Sequence, residues 1–134
     1  NYISSGVSYF EQCKGVNMTS LDHIAIIVSS IEHLEFYEKL GFKETRRFTR
    51  EYDTVVFMEC NGTSLEIFVD SKHPERISDP ETNGLRHIAF SVESLEKVNV
   101  EIGEIRTDWF GRRFTFTKDP DGQPIELNEK SKLQ

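Results

Sequence analysis

One phrase occurs twice in this chain, and no other feature constrains its fold as much. Leu21–Glu32 reads LDHIAIIVSSIE, and 64 residues later Leu85–Glu96 reads LRHIAFSVESLE. Seven of the 12 positions are identical, including a histidine at the third. Self-similarity at a long spacing marks a structural unit used more than once. The residues after each copy are patterned alike too. The alternating, β-branched stretch Asp22–Val28 predicts a strand. Ser29-x-x-Glu32 reads as a capping box that opens a helix, with Ile31, Leu34, Phe36, Tyr37 and Leu40 on its apolar side and Gly41 ending it. Phe42–Thr49, Thr54–Glu59 and Ser64–Val69 predict three more strands, with Asn61-Gly62 as a hairpin turn tolerant of positive φ. The second copy predicts a strand at Leu85–Val92, a helix over Ser94–Gly103, a short strand at Ile105–Trp109, and strands at Arg113–Thr117 and Pro124–Asn128. The turn Asp119-Pro-Asp-Gly122 separates the last two. The expected fold is α+β: two tandem βαβββ modules, 21–70 and 85–130, in one domain spanning 21–134. A polar loop, 71–84, joins the modules. Residues 1–20 read as an N-terminal extension.

Strand periodicity then sorts the residues by face. Ile24, Ile26 and Val28 share one side of the first strand, and His23, Ala25 and Ile27 share the other. In the second copy Ile88, Phe90 and Val92 oppose His87, Ala89 and Ser91. The last strand of each module repeats the division. Glu66 opposes Leu65, Ile67 and Val69, while Glu126 opposes Ile125 and Leu127. Each module thus carries one histidine and one glutamate on the face away from its aliphatic residues, 43 residues apart in the first and 39 in the second. Carboxylates set in strands this apolar are costly without a partner. A divalent metal ion bound by His23, Glu66, His87 and Glu126 removes that cost. Two imidazoles and two carboxylates without a thiolate suit Ni, Zn, Mn, Co or Fe rather than Cu(I). Whether the halves meet within one chain or across a dimer is left open at this level.

The charge balance narrows the partners. With 16 Lys and Arg against 23 Asp and Glu, the net charge is −7. That leaves no basic excess to displace the counterions of nucleic acid. No apolar run reaches the roughly 18 residues of a membrane span. The first residues, NYISSGVSYFEQ, lack a basic segment followed by an apolar one, so a cytoplasmic location is expected. Cys13 and Cys60 have no zinc-ligand spacing and are too few for a disulfide framework.

The HIAI and HIAF strands, the FYEKLGF helix end, the LEIF strand and DPDGQPIEL together resemble the glyoxalase I / vicinal oxygen chelate superfamily, over about residues 21–129. PERISDP followed by GLRHIAF is similar to a bacterial group of small glyoxalase-like proteins. The resemblance implies the glyoxalase/bleomycin resistance/dioxygenase fold, a half-open cup around a divalent metal, and a homodimer. It implies a metal-dependent lyase or isomerase of the lactoylglutathione lyase type. Such an enzyme acts on a small substrate with vicinal oxygens through an enediolate-like intermediate. His23, Glu66, His87 and Glu126 match the family's ligands, with Glu126 as the general base and Glu66 as its counterpart in a two-base isomerisation. In the glutathione-dependent enzymes an arginine stands four residues after the first metal histidine. Here Ile27 holds that place, which weighs against a glutathione hemithioacetal. Dioxygenase, antibiotic-modifying thiol transferase and non-catalytic small-molecule binding are the other activities the superfamily offers. Arg76 and His73 in the loop, and Arg112 and Arg113 beyond Phe110-Gly111, are candidates to bind an anionic substrate. Trp109 and Phe110 are candidate cup-lining or core residues.

Overall fold

The computed structural model describes residue 15 and residues 17–131. Most of the expected N-terminal extension lies outside the described residues. Eight strands form: β1 (Ile24–Val28), β2 (Lys43–Thr49), β3 (Thr54–Cys60), β4 (Thr63–Val69), β5 (Ile88–Val92), β6 (Arg106–Thr107), β7 (Arg113–Lys118) and β8 (Pro124–Glu129). They make two four-stranded sheets with the same order, β1-β4-β3-β2 and β5-β8-β7-β6. In each sheet the first strand runs parallel to the last and the other neighbours are antiparallel. The register repeats as well: Ala25 faces Glu66 and Ala89 faces Glu126. The α+β fold of two repeated modules is therefore as the sequence predicts. The hairpin turn also forms where expected, with Asn61 at φ 48° and Gly62 at φ 85°.

The connection in the first module differs in detail from the expectation. Ser30, not Ser29, is the N-cap: its hydroxyl accepts from the Glu32 amide ahead of a 3₁₀ turn at Ile31–His33. Ser29 bonds to Asp121 of the second module instead. Helix α1 (Leu34–Lys39) follows, burying Leu34, Phe36 and Tyr37. It ends in a Schellman motif. The Phe42 amide donates to Tyr37 O at 3.0 Å and the Gly41 amide to Glu38 O at 2.9 Å. That closure needs the left-handed backbone of Gly41, at φ 108°.

The second module lacks the helix expected over Ser94–Gly103. Only a 3₁₀ turn forms, at Leu95–Lys97, and Val98 is already extended. Val98, Val100 and Ile102 pack on the core at alternate positions. Two β-branched valines separated by an asparagine are weak helix formers, and period-two burial favours an extended run. The run is tied to β7 by the Thr115 hydroxyl donating to Glu104 O (2.9 Å) and the Thr117 hydroxyl to Glu101 O (2.6 Å). The strand expected at Ile105–Trp109 shrinks to Arg106–Thr107.

The aliphatic faces of both sheets meet in one core. Ile26, Val28, Leu65 and Ile67 of the first sheet and Ile88, Ile125 and Leu127 of the second belong to a single buried cluster with Leu34, Tyr37 and Leu95. Phe42 and Phe90 join the modules, with ring centroids 5.4 Å apart. Because the core lies between the sheets, their opposite faces turn outward. Ala25, Ile27 and Ala89 are exposed there.

Candidate metal centre

His23 and His87 each stand one residue before the strand they introduce, β1 and β5. Each reaches across to the glutamate of the parallel neighbour. His23 Nε2 lies 3.2 Å from Glu66 Oε1, and His87 Nε2 lies 2.9 Å from Glu126 Oε1. The glutamates are more sheltered than the first histidine, at 23% and 19% side-chain exposure against 44% for His23. Partial burial of a carboxylate beside an imidazole suits ligation.

An aromatic ring accompanies each pair. Phe57 faces Glu66 in the register of β3 and β4, and Phe116 faces Glu126 in that of β7 and β8. Phe116 also meets the His87 ring edge-on at 5.1 Å. These phenylalanines emerge from strand register, and their alternation with the core residues was the only signal of them in the sequence.

The pairs differ behind the histidine. His23 Nδ1 lies 2.6 Å from Asp22 Oδ2. That hydrogen bond is the main reason the imidazole is more basic than usual, with Glu66 adding to it against an opposing desolvation effect. A carboxylate on Nδ1 fixes the tautomer that leaves Nε2 free to bind a metal. Arg86 occupies the matching place before His87, and turns to Glu81 instead, with Nε 2.7 Å from Oε2.

The two pairs do not meet within one chain. Among the described residues no group of three or more His, Cys, Asp or Glu could hold a metal ion. Two donors per face are half of what a resident ion requires. The donor chemistry of each half fits a divalent metal, because an imidazole nitrogen and a carboxylate oxygen converge.

The remaining candidates separate clearly. Arg113 is paired with Glu96, and its Nη1 lies 3.1 Å from Glu129 Oε2. Glu129 in turn accepts from the Leu95 amide. Arg112 lies 3.7 Å from Asp108, and His73 Nδ1 lies 3.3 Å from Asp70. Arg76 has no carboxylate partner among the described residues; it donates to Gln123 Oε1 at 3.3 Å and to Arg86 O at 3.5 Å. Trp109 and Phe110 are almost fully exposed, so neither enters the core of this chain.

A polar cluster that periodicity and motif spacing do not announce joins the modules beside the first pair's strand. The Ser29 hydroxyl donates to Asp121 Oδ1 (2.6 Å) and its amide to Oδ2 (3.1 Å), while His33 Nδ1 lies 2.8 Å from the same carboxylate. Ser29 Oγ also lies 3.4 Å from His33 Nδ1, but its proton is already donated to Asp121 and the same imidazole nitrogen faces that carboxylate at a shorter distance, so the histidine is engaged by Asp121 rather than set to activate the serine. The cluster is a brace rather than a nucleophilic site.

Residues 20–127 match the model of the Glyoxalase/Bleomycin resistance protein/Dioxygenase superfamily. The chain is 42% identical to the protein YwkD of Bacillus subtilis (strain 168), over 84% of this chain and 98% of that one. It is 37% identical to YaeR of Escherichia coli (strain K12), covering 86% and 99%. Among solved structures, a glyoxalase family protein from Enterococcus faecalis superposes with a TM-score of 0.74 at 38% identity, covering 82% of this chain and 97% of that one.

Proposed function

The chain belongs to the glyoxalase/bleomycin resistance protein/dioxygenase superfamily, and on that premise we propose that it is a divalent-metal-dependent lyase or isomerase for a small substrate with two neighbouring oxygens. The observation that carries the proposal is the repeated His Nε2–Glu Oε1 pair, placed at the same register on each outward face. Since one chain divides its donors between two faces, the complete set comes from a homodimer. His23 and Glu66 of one copy then face His87 and Glu126 of another. The exposed Ile27, Phe48, Phe116, Trp109 and Phe110 give such an assembly apolar surface to cover.

A divalent ion held by these residues supplies Lewis acidity toward the substrate's oxygens. Proton movement belongs to the chain. Glu126, beside His87 and backed by Phe116, takes the proton from the carbon next to a carbonyl, and Glu66 delivers one on the opposite side. Phe57 and Phe116, the strand partners of the two glutamates, make the surroundings of those carboxylates less polar, which helps keep the abstracted proton in place.

The test is metal content by mass spectrometry on untagged protein after reconstitution with Ni, Zn, Mn, Co or Fe. Stoichiometric uptake that both His23→Ala and His87→Ala abolish is the expected result. Lack of uptake with every metal would overturn the enzymatic reading. The half-exposed aromatic lining of the outward faces, Phe48 and Phe57 in T-shaped contact at 6.2 Å, would then favour a small-molecule binding protein, which binds stoichiometrically and turns nothing over.

A further inference from the structure

A cavity of about 870 Å³ runs from the outward side of β1 to the turn between β7 and β8, with the inter-module loop as its third wall. Its lining includes Ala25 and Ile27 of the His23 face, His33, His73, Arg76 and Gln123. Arg76 stands out by its bonding. The nearby arginine beyond the loop, Arg86, is paired with Glu81. Arg76 donates only to neutral oxygens among the described residues, Gln123 Oε1 and Arg86 O. Gln123 is held for this role, because its Nε2 donates to Pro124 O at 3.1 Å and so turns Oε1 toward the guanidinium. A guanidinium has more N–H donors than these two acceptors use. The guanidinium therefore stands without an ionic partner among the described residues, exposed at the wall of the cavity.

The acidic groups there do not supply the missing counter-charge. Asp121 accepts from Ser29 and lies against His33, and Asp70 lies against His73 and accepts from the Lys72 amide. Glu75 also lines the cavity, and among the described residues no ion pair joins it to Arg76. The position of Arg76 adds to its chemistry. One acceptor immediately precedes His87, and the other lies three residues before Glu126. The guanidinium thus bridges the two segments that lead into the second His–Glu pair.

We infer that Arg76 is the anchor for an anionic group of the substrate, so that the substrate class is a small molecule carrying a carboxylate or a phosphate. This rests on the proposed function for its reaction, but not for the binding itself. A planar guanidinium favours bidentate binding of such groups.

The test uses the full chain without metal and follows ¹H–¹⁵N amide shifts. The probes are pyruvate, uncharged methyl pyruvate and inorganic phosphate. Saturable shifts at Arg76, Gln123 and Ile27 with pyruvate or phosphate, and not with methyl pyruvate, are expected. Pyruvate alone marks a carboxylate site, and phosphate alone a phosphate site. Arg76→Gln is expected to weaken binding about tenfold or more, the scale of a lost charged hydrogen bond, with Arg76→Lys intermediate. Equal shifts with methyl pyruvate, unchanged binding in Arg76→Gln, or no saturable binding by either anion would overturn the inference. Metal uptake is read in a separate experiment, so failure of the metal site and failure of the anion anchor are told apart.

Discussion

The Tyr37 hydroxyl donates to Asp119 Oδ2 at 2.6 Å, joining the helix of the first module to the last turn of the second. Both residues are essentially buried. Asp119 also accepts from the Asp121 and Gln123 amides, each at 2.9 Å. The contact therefore links the inter-module packing to the turn that starts the strand carrying Glu126. Burial, reinforced by the Asp119 charge, drives the Tyr37 phenol well above its ordinary range. Tyr37→Phe is expected to cost about 1–3 kcal/mol, because a buried carboxylate loses one donor while keeping its amides. Urea unfolding measures the cost. Spectroscopic titration should find no tyrosinate from Tyr37 while the fold persists.

Asp121 gives a pH-dependent counterpart. Burial opposes its ionisation, but the donors from Ser29 and His33 outweigh that effect and hold its carboxyl below the ordinary 3.8. A lowered folded-state pKa adds stability above the unfolded value, and that stability disappears as pH falls through the folded value. Asp121→Asn is therefore expected to be about 1–3 kcal/mol less stable than the parent at neutral pH. The gap should narrow as pH falls below about 4. Unfolding curves at several pH values read this directly. A gap that widened in acid would contradict the brace.

Mixing two defective variants examines the dimer. His23→Ala and His87→Ala each break every site when present alone. Assembled together, one of the two sites in each mixed dimer joins two intact pairs. Metal uptake is expected to return to about one ion per mixed dimer, the consequence of an isologous pairing. Sites contained within single chains would give no recovery.

Gly103 discriminates the extended run from a helix. A Cβ there would lie 3.1 Å from Phe116 O, and the Gly103 amide donates to that same oxygen at 2.9 Å. Gly103→Ala is expected to destabilise by about 1 kcal/mol, because the crowded atom is a backbone oxygen that also accepts the Gly103 amide and cannot give as a flexible side chain could. In a helix the same change would stabilise by about 1 kcal/mol. The sign of the shift in urea midpoint decides between the two.

Strand content was legible because period-two burial writes itself into Ile26–Val28, Leu65–Ile67 and Ile125–Leu127. The His–Glu faces were legible for the same reason, since the core claims the other side of each strand. The helix over Ser94–Gly103 was misread because repetition of the first module suggested it, while the local alternation of Val98, Val100 and Ile102 pointed to extended chain. The Ser29 capping box failed because its carboxylate competitor, Asp121, lies 92 residues away. The separation of the two pairs was not legible either. Periodicity tells which residues share a face, but not which faces of different sheets look at one another.

The single core shared by both modules has a consequence for synthesis. While the first half leaves the ribosome, Ile26, Val28, Leu65 and Ile67 have no second sheet to pack against. Their cover, Ile125 and Leu127, is translated near the end of the two modules. The nascent first module has Leu34, Phe36 and Tyr37 of its own helix in that cluster, but must hold the rest of its apolar face in water until nearly all of the second exists. Folding is completed only once that second sheet has emerged, and the interval before it is when the chain is most open to chaperone capture or aggregation.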